Sequence, residues 1–294
     1  MDYFKYIDFT AIKLGELAES IGDFHCAIKS YTKAHDRIIQ YQGDRMQPLS
    51  MRGDLYDRIE KAKKSLSYGN QILVSDHWKL SKSSFVKGTQ CHKYLFLDKY
   101  KKQEKTPFSA IKKELFTKGH QFEETVRDKG FPNGVNVKDV VGDFAFFNSY
   151  TKYLLKEQND ITIYEATIIE DDVLVMCDVL LKDRNNNIDI YEIKLNKEIN
   201  DAILQDLAIQ YYVCSKRFGY TLNSFNVIFS KGDKDNNWVI KNLQDELEDH
   251  VEETMKRIEL FKNTLQNDEP IIAMGQHCYN PYECEFIDYC KNKS

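Results

Sequence analysis

The sequence predicts an α/β domain with a mixed central sheet flanked by helices, preceded by a small all-α three-helix bundle. Apolar residues recur at helical spacing over about residues 8–68, whereas two runs of alternating polarity, typical of paired strands, follow near 174–194. A chain of 294 residues with 42% hydrophobic residues can form two domains and a sizeable core. We therefore expect a helical domain over 1–70 and a second domain over 78–294.

Charge and hydropathy limit the classes of protein. The formal net charge of −5 argues against a protein that binds polyanions over its whole surface, although it allows a local basic patch. No apolar run reaches the roughly 18 residues of a membrane span, and the N-terminal MDYFKYIDFT lacks the pattern of a secretory signal. We expect no membrane insertion and a cytoplasmic location.

Cysteines in a reducing compartment are expected to be free thiols or metal ligands, and this chain has seven. Cys26, Cys177 and Cys214 lie in apolar periodic segments and are expected to be buried small side chains. The other four are Cys91 and the three cysteines of a C-terminal C-x5-C-x5-C run, which are Cys278, Cys284 and Cys290. A tail cluster with one distant cysteine suggests a metal centre that joins the two ends of a domain.

The N-terminal segment is expected to form three helices. Gly22–Asp23 and a polar stretch near 42–44 separate them. The segment ELAESIGDFHCAIKSYTKAHDRI resembles a tetratricopeptide helical hairpin, and the three helices together resemble an MIT domain, which binds helical tails of membrane-remodelling proteins. This resemblance implies a protein partner for residues 1–70. An accessory bundle that packs on the main domain is the alternative.

The segment LVMCDVLLKDRNNNIDIYEIKLNK predicts a β-hairpin whose turn is Asn185–Asn187. Asp178 lies in the first strand, and Glu192 and Lys194 share one face of the second. Apolar residues surround all three, and burial of such charges is costly unless they pair or hold a cation.

The pattern D-x13-E-x-K resembles that of the PD-(D/E)XK nuclease superfamily, whose fold is restriction-endonuclease-like. The resemblance implies that Asp178 and Glu192 hold Mg²⁺ or Mn²⁺ and that Lys194 positions or activates the attacking water. Carboxylate oxygens suit such ions, which polarise a phosphodiester and lower the pKa of bound water.

Neighbouring segments resemble the RecB-like branch of this superfamily. They are KELFTKGHQFEETVRDKGFPNG before the hairpin, ITIYEATI at a strand end, and AILQDLAIQYYVCSKRFG after it. The resemblance implies a metal-binding acid on the first helix, with Glu124 preferred over Glu123, and a glutamine and a tyrosine on the last. It also implies His120 as a metal ligand, Glu165 as a further candidate, and Gln210 with Tyr212 or its neighbour Tyr211 beside the site.

The cysteines extend the resemblance to iron–sulfur RecB-like nucleases, including CRISPR-associated exonucleases. Cys91 lies in LSKSSFVKGTQCHKYLFLDKYKK, and the other three lie in HCYNPYECEFIDYC. The resemblance implies one [4Fe–4S] cluster held by Cys91, Cys278, Cys284 and Cys290. Zinc is the alternative occupant, because four thiolates also form a structural zinc site.

Ten lysines lie between Lys79 and Lys113, interleaved with aromatic residues. They suggest a surface that contacts phosphates, with Lys82, Lys87 and Lys93 as candidates, or else a solvated helix face. The expected function is therefore a metal-dependent DNA nuclease, an exonuclease or endonuclease with single-stranded DNA favoured. The alternatives are a nucleic-acid-binding protein without turnover and an adaptor that acts through its N-terminal bundle.

Overall fold

A computed structural model describes residues 7–20, 24–40, 49–65, 75–107, 110–232 and 237–293. The two expected breaks at Gly22–Asp23 and 42–44 lie outside these residues. The helices in the described part are α1 (Phe9–Ser20), α2 (Phe24–Gln40), α3 (Leu49–Ser65), α4 (Lys82–Gln90), α5 (His92–Tyr100), α6 (Ala110–Gly130), α7 (Val137–Val141), α8 (Phe147–Glu157), α9 (Asp201–Phe218), α10 (Gln244–Glu248), α11 (Val251–Thr264) and α12 (Ile287–Lys291). The strands are β1 (Leu80–Ser81), β2 (Val135–Asn136), β3 (Ile161–Glu170), β4 (Val173–Lys182), β5 (Ile188–Lys194), β6 (Leu222–Ser230) and β7 (Trp238–Asn242).

The chain forms two compact units, each with most of its residue contacts inside itself. The first comprises Met1–Asp76 and Val135–Glu157, and the second comprises His77–Gly134 and Gln158–Ser294. The segment Val135–Glu157 thus belongs to the first unit, although the sequence-based division placed it in the second domain. No helix in the described ranges is long and apolar enough to cross a membrane.

The first unit contains the expected three helices, because α1 and α3 both pack against α2. Buried residues at helical spacing on α2 form the centre of its core, and they combine small, branched and aromatic side chains: Ala27, Ile28, Tyr31, Ala34 and Ile38. Gly15 of α1 lies so close to this core that a Cβ atom there would be 2.5 Å from the ring of Tyr31. The two helices can therefore approach each other only because residue 15 has no side chain.

The second unit contains a mixed sheet with β3, β4, β5, β6 and β7 in that order, and β1 pairs in parallel with β4. Strands β4 and β5 form an antiparallel hairpin, as the sequence predicts. Strand β6 is parallel to β5, so the chain must cross over between them, and α9 makes that connection. The α/β class is confirmed.

Two of the three cysteines expected to be buried are fully buried in this unit. The sulfur atoms of Cys177 on β4 and Cys214 on α9 lie 3.6 Å apart. This contact packs α9 directly against β4, the strand that also carries Asp178. Cys26 is only partly buried and packs against the core of the first unit.

Candidate active site and cysteine centre

The hairpin places the two predicted acids side by side. Val179 lies opposite Tyr191, and this register continued by one residue puts Asp178 opposite Glu192. The backbone N–H of Ile193 donates a hydrogen bond to Asp178 Oδ2 at 2.6 Å. The Asp178 carboxylate is therefore fixed against β5 next to Glu192.

Two lysines converge on Glu192. The Nζ of Lys194 lies 2.7 Å from Glu192 Oε1 and 2.6 Å from Asp206 Oδ2. The Nζ of Lys82, the first residue of α4, lies 2.7 Å from the same Glu192 oxygen and 3.6 Å from Asp206 Oδ2. Neither the place of Lys82 in this group nor Asp206 was anticipated from the sequence.

Gln210, which the RecB-like resemblance singled out, also lies in this group. It follows Asp206 by one helical turn on α9, so both side chains face the hairpin. The fully buried Gln210 donates from Nε2 to Glu192 Oε2 at 2.7 Å and accepts at Oε1 from Lys82 Nζ at 2.9 Å. Both oxygens of Glu192 are thus held by neighbours from other elements.

The electrostatics of the two acids differ sharply. Burial, together with the negative charge of Glu192, raises the pKa of Asp178 well above its usual range. Burial also opposes ionisation of Glu192, but the ammonium groups of Lys194 and Lys82 outweigh it and lower the pKa of Glu192 to about 2. A second negative charge at Asp178 is costly beside an ionised Glu192, and a cation between them would offset that cost.

Helix α6 directs Glu123 towards the acids. The charge of Glu123 helps to raise the pKa of Asp178, and its side chain is only 18% exposed. Glu124 is exposed, and His120 is 76% exposed with its Nδ1 3.7 Å from Glu123 Oε2. The resemblance favoured Glu124 as the acid of this helix, but the lower exposure of Glu123 favours Glu123. His120 is too exposed to lie within the group of acids.

Glu165 lies in the middle of β3, where the sequence had suggested a strand end. Its neighbours Tyr164 and Ala166 pair with Val179 and Cys177, so Glu165 stands opposite Asp178. Its φ of +55° is in the left-handed region, which costs a residue with a side chain about 1 kcal/mol or more.

Arg127 of α6 provides the contact that holds Glu165. Its guanidinium lies 3.1 Å from Glu165 Oε1, also contacts Glu123, and stacks 5.3 Å from the ring centre of Tyr164. Glu123 and Glu165 are therefore tied together beside Asp178. The sequence offered no pattern that singled out Arg127.

The two tyrosines of α9 point away from the acids. The Tyr211 hydroxyl donates to Glu248 Oε2 and the Tyr212 hydroxyl to Asp171 Oδ2, each at 2.5 Å. Because successive helix residues are rotated by about 100°, only Gln210 of this run faces the hairpin. The site role expected for Tyr212, or for Tyr211 in its place, has no support from this geometry.

The four remaining cysteines come together at one place. Cys91 lies between α4 and α5, while Cys278, Cys284 and Cys290 lie in the C-terminal tail, and all four line a single cavity. Burial, with the neighbouring thiols adding to it, raises the pKa of Cys284 to about 11. The predicted joining of the distant cysteine to the tail cluster is thus seen in the structure.

Polar contacts strengthen the junction around this cysteine centre. Gln90, the last residue of α4, donates from Nε2 to the carbonyl oxygens of His277 and Tyr282, both at 2.7 Å. Lys101 Nζ lies 2.9 Å from Glu269 Oε2, which also accepts from the Tyr289 hydroxyl at 2.9 Å. The helices after β1 are therefore fastened to the C-terminal tail.

The lysines expected to contact phosphates have other partners. Lys87 Nζ lies 2.7 Å from Asp98 Oδ1, and Lys93 Nζ lies 3.5 Å from Glu269 Oε1 beside the cysteine cavity. Lys82 belongs to the acid site. The three side chains thus compensate acids within the unit, and their contact with nucleic acid stays a prediction.

The acid site and the cysteine centre both contain side chains of the types that bind metals. Within the ranges that the structure describes, no three His, Cys, Asp or Glu side chains are arranged so as to hold a metal ion as they stand. The thiols of the cysteine centre nevertheless match an iron–sulfur cluster or zinc. The buried carboxylate of Glu192 and the partly buried carboxylate of Asp178 match a hard divalent cation.

Comparison with known proteins adds no family to this description. No protein-family model matches the sequence. A search of curated proteins finds no match either. The function must therefore be argued from the side chains and their geometry.

Proposed function

We propose that this chain is a divalent-cation-dependent nuclease that hydrolyses phosphodiester bonds in DNA, with single-stranded DNA as the favoured substrate. One observation carries the proposal: Asp178, Glu192, Lys194 and Gln210 come from three different elements and meet in one group, in which Glu192 and Gln210 are buried and Asp178 and Lys194 are partly buried. These are the residues that the PD-(D/E)XK resemblance assigns to the site. A mixed sheet whose hairpin carries both acids also supports a restriction-endonuclease-like fold.

Each residue has a distinct role in this proposal. A bound Mg²⁺ or Mn²⁺ would polarise the phosphodiester and activate water. Asp178 and Glu192 would hold that ion, with Glu123 as the nearest further acid of α6. Lys194, already bonded to Glu192, would orient the attacking water, and Gln210 fixes the Glu192 carboxylate.

The cysteine centre is proposed to hold one [4Fe–4S] cluster. The long gap after Cys91 and the five-residue spacings favour a cluster over zinc, whose sites more often contain short C-x2-C pairs. Its role is structural, since it joins the helices after β1 to the C-terminal tail.

Cleavage of labelled DNA tests the nuclease proposal. Wild type should cut single-stranded DNA with Mg²⁺ or Mn²⁺, whereas Asp178→Asn and Lys194→Ala should cut at least about 100-fold more slowly. Lys197→Ala is the matched control, because Lys197 is an exposed lysine just beyond β5, and it should cut like wild type.

Three results would contradict the proposal: no cleavage by wild type with any metal or DNA form, undiminished cleavage by Asp178→Asn, or undiminished cleavage by Lys194→Ala. DNA binding without cleavage would instead indicate a binding protein without turnover. Circular single-stranded DNA separates the two modes, because an exonuclease leaves it intact and an endonuclease cuts it.

A further inference from the structure

We propose that Lys82 is a positioning residue that serves as a built-in counter-ion of Glu192 and competes with the divalent cation for that carboxylate. The inference rests on the proposed function, because it concerns the same acid site. Lys82 lies outside the D-x13-E-x-K pattern and reaches the site from α4, about 110 residues earlier in the chain.

The contacts of Lys82 are those of a counter-ion. Its Nζ lies 2.7 Å from Glu192 Oε1, 2.9 Å from Gln210 Oε1 and 3.6 Å from Asp206 Oδ2. The side chain is 20% exposed, so solvent screens these charges only in part. Lys194 contacts the same Glu192 oxygen, so this single oxygen accepts from two ammonium groups.

The backbone of Lys82 is held in place from both sides. Ser81 and Ser84 form a reciprocal capping box at the start of α4, with Ser81 Oγ accepting from the Ser84 N–H at 3.2 Å and Ser84 Oγ accepting from the Ser81 N–H at 2.7 Å. Leu80 pairs with Val173 of β4, next to the strand that carries Glu192. Lys82 is thus presented to Glu192 by rigid structure, which reduces the conformational entropy lost when the ion pair forms.

The position of this ammonium has a consequence for cation binding. A cation that binds Glu192 and Asp178 must approach the carboxylate group that Lys82 already contacts, and like charges repel strongly where water is largely excluded. Lys82 therefore weakens cation binding and keeps the Glu192 carboxylate oriented before the cation arrives. It sets the concentration of free cation at which the site becomes loaded.

The test is Mn²⁺ binding to the full chain, measured by isothermal titration calorimetry. Mn²⁺ suits carboxylate sites and binds weakly to thiolates, so the cysteine centre interferes little. Removal of the charge in Lys82→Met should tighten Mn²⁺ binding by about tenfold or more, which corresponds to about 1.4 kcal/mol. Lys82→Arg keeps the charge and should bind Mn²⁺ about as wild type does, and Lys197→Met is the control for a lysine outside the site.

A purely structural role for Lys82 predicts the opposite result. Loss of a mere support should leave Mn²⁺ binding unchanged or weaken it, and either outcome in a folded Lys82→Met protein overturns the inference. Lys82→Gln, which keeps a hydrogen-bond donor without the charge, provides the same measurement if Lys82→Met does not fold.

The failure of this inference can be told apart from the failure of the proposed function. If wild type binds no Mn²⁺, both are overturned. If wild type binds Mn²⁺ but cuts no DNA, the nuclease proposal fails and the Lys82 measurement still decides the counter-ion role. If wild type binds and cuts but Lys82→Met binds Mn²⁺ no more tightly, only the role of Lys82 is overturned.

Discussion

Replacement of Gln210 by Met tests the architecture of the acid site most directly. Methionine has a similar volume, so the change removes two hydrogen bonds without opening a large cavity. The lost bonds are the 2.7 Å bond to Glu192 Oε2 and the 2.9 Å bond from Lys82 Nζ, and both involve charged groups. Such bonds each contribute about 1.5–3 kcal/mol, so their loss should lower the free energy of unfolding by about 3–6 kcal/mol.

The measurement is urea unfolding of the full chain in cation-free buffer, followed by circular dichroism. Gln121→Met is the matched control, because Gln121 is exposed on α6, and its free energy of unfolding should change by no more than about 0.5 kcal/mol. A loss below about 1 kcal/mol for Gln210→Met would refute the reasoning, since Glu192 Oε2 would then have gained another partner at little cost.

The other predictions concern the acids and the cysteine centre. Glu123→Gln should slow cleavage by about tenfold or more and Glu124→Gln by less than about twofold, because Glu123 is partly buried and its charge acts on Asp178, whereas Glu124 is exposed. Equal effects would argue against this assignment. Cys284→Ser should lose the bound iron and sulfide, which are measured after anaerobic purification. Cys214→Ser, at a buried cysteine outside the centre, should retain them. Stoichiometric zinc in wild type would exclude the cluster. The lowered pKa of Glu192, about 2 against an ordinary 4.5, makes a stabilising contribution that is complete above pH 4.5 and lost as the pH falls towards 2. Acid unfolding should therefore depend less steeply on pH in Glu192→Gln, and parallel curves would contradict the pairing.

Local patterns were sufficient for part of this site. Alternating polarity defined the hairpin, and the residue spacing along it already placed Asp178 near Glu192 and Lys194. Helical periodicity with the RecB-like resemblance indicated Gln210 on α9. These assignments depend on separations of a few residues or on one turn, where backbone geometry fixes which side chains can meet.

Other choices along helices required the packing. Glu123 and Glu124 are neighbours in sequence, and only the rotation of α6 against the sheet decides which one approaches Asp178. The same holds for α9, where the packing directs Gln210 inwards and leaves Tyr211 and Tyr212 with Glu248 and Asp171.

The sequence by itself determined the α/β class, the helical N-terminal segment, the hairpin with its acids, and the four cysteines that belong together. Only the tertiary structure brought Lys82 to Glu192 and Asp206 to Lys194, and only it gave Lys87 and Lys93 acidic partners. The physical reason is that hydrophobic periodicity records which face of an element is buried. An ion pair between residues distant in sequence depends on where two elements cross, and no local pattern encodes that position.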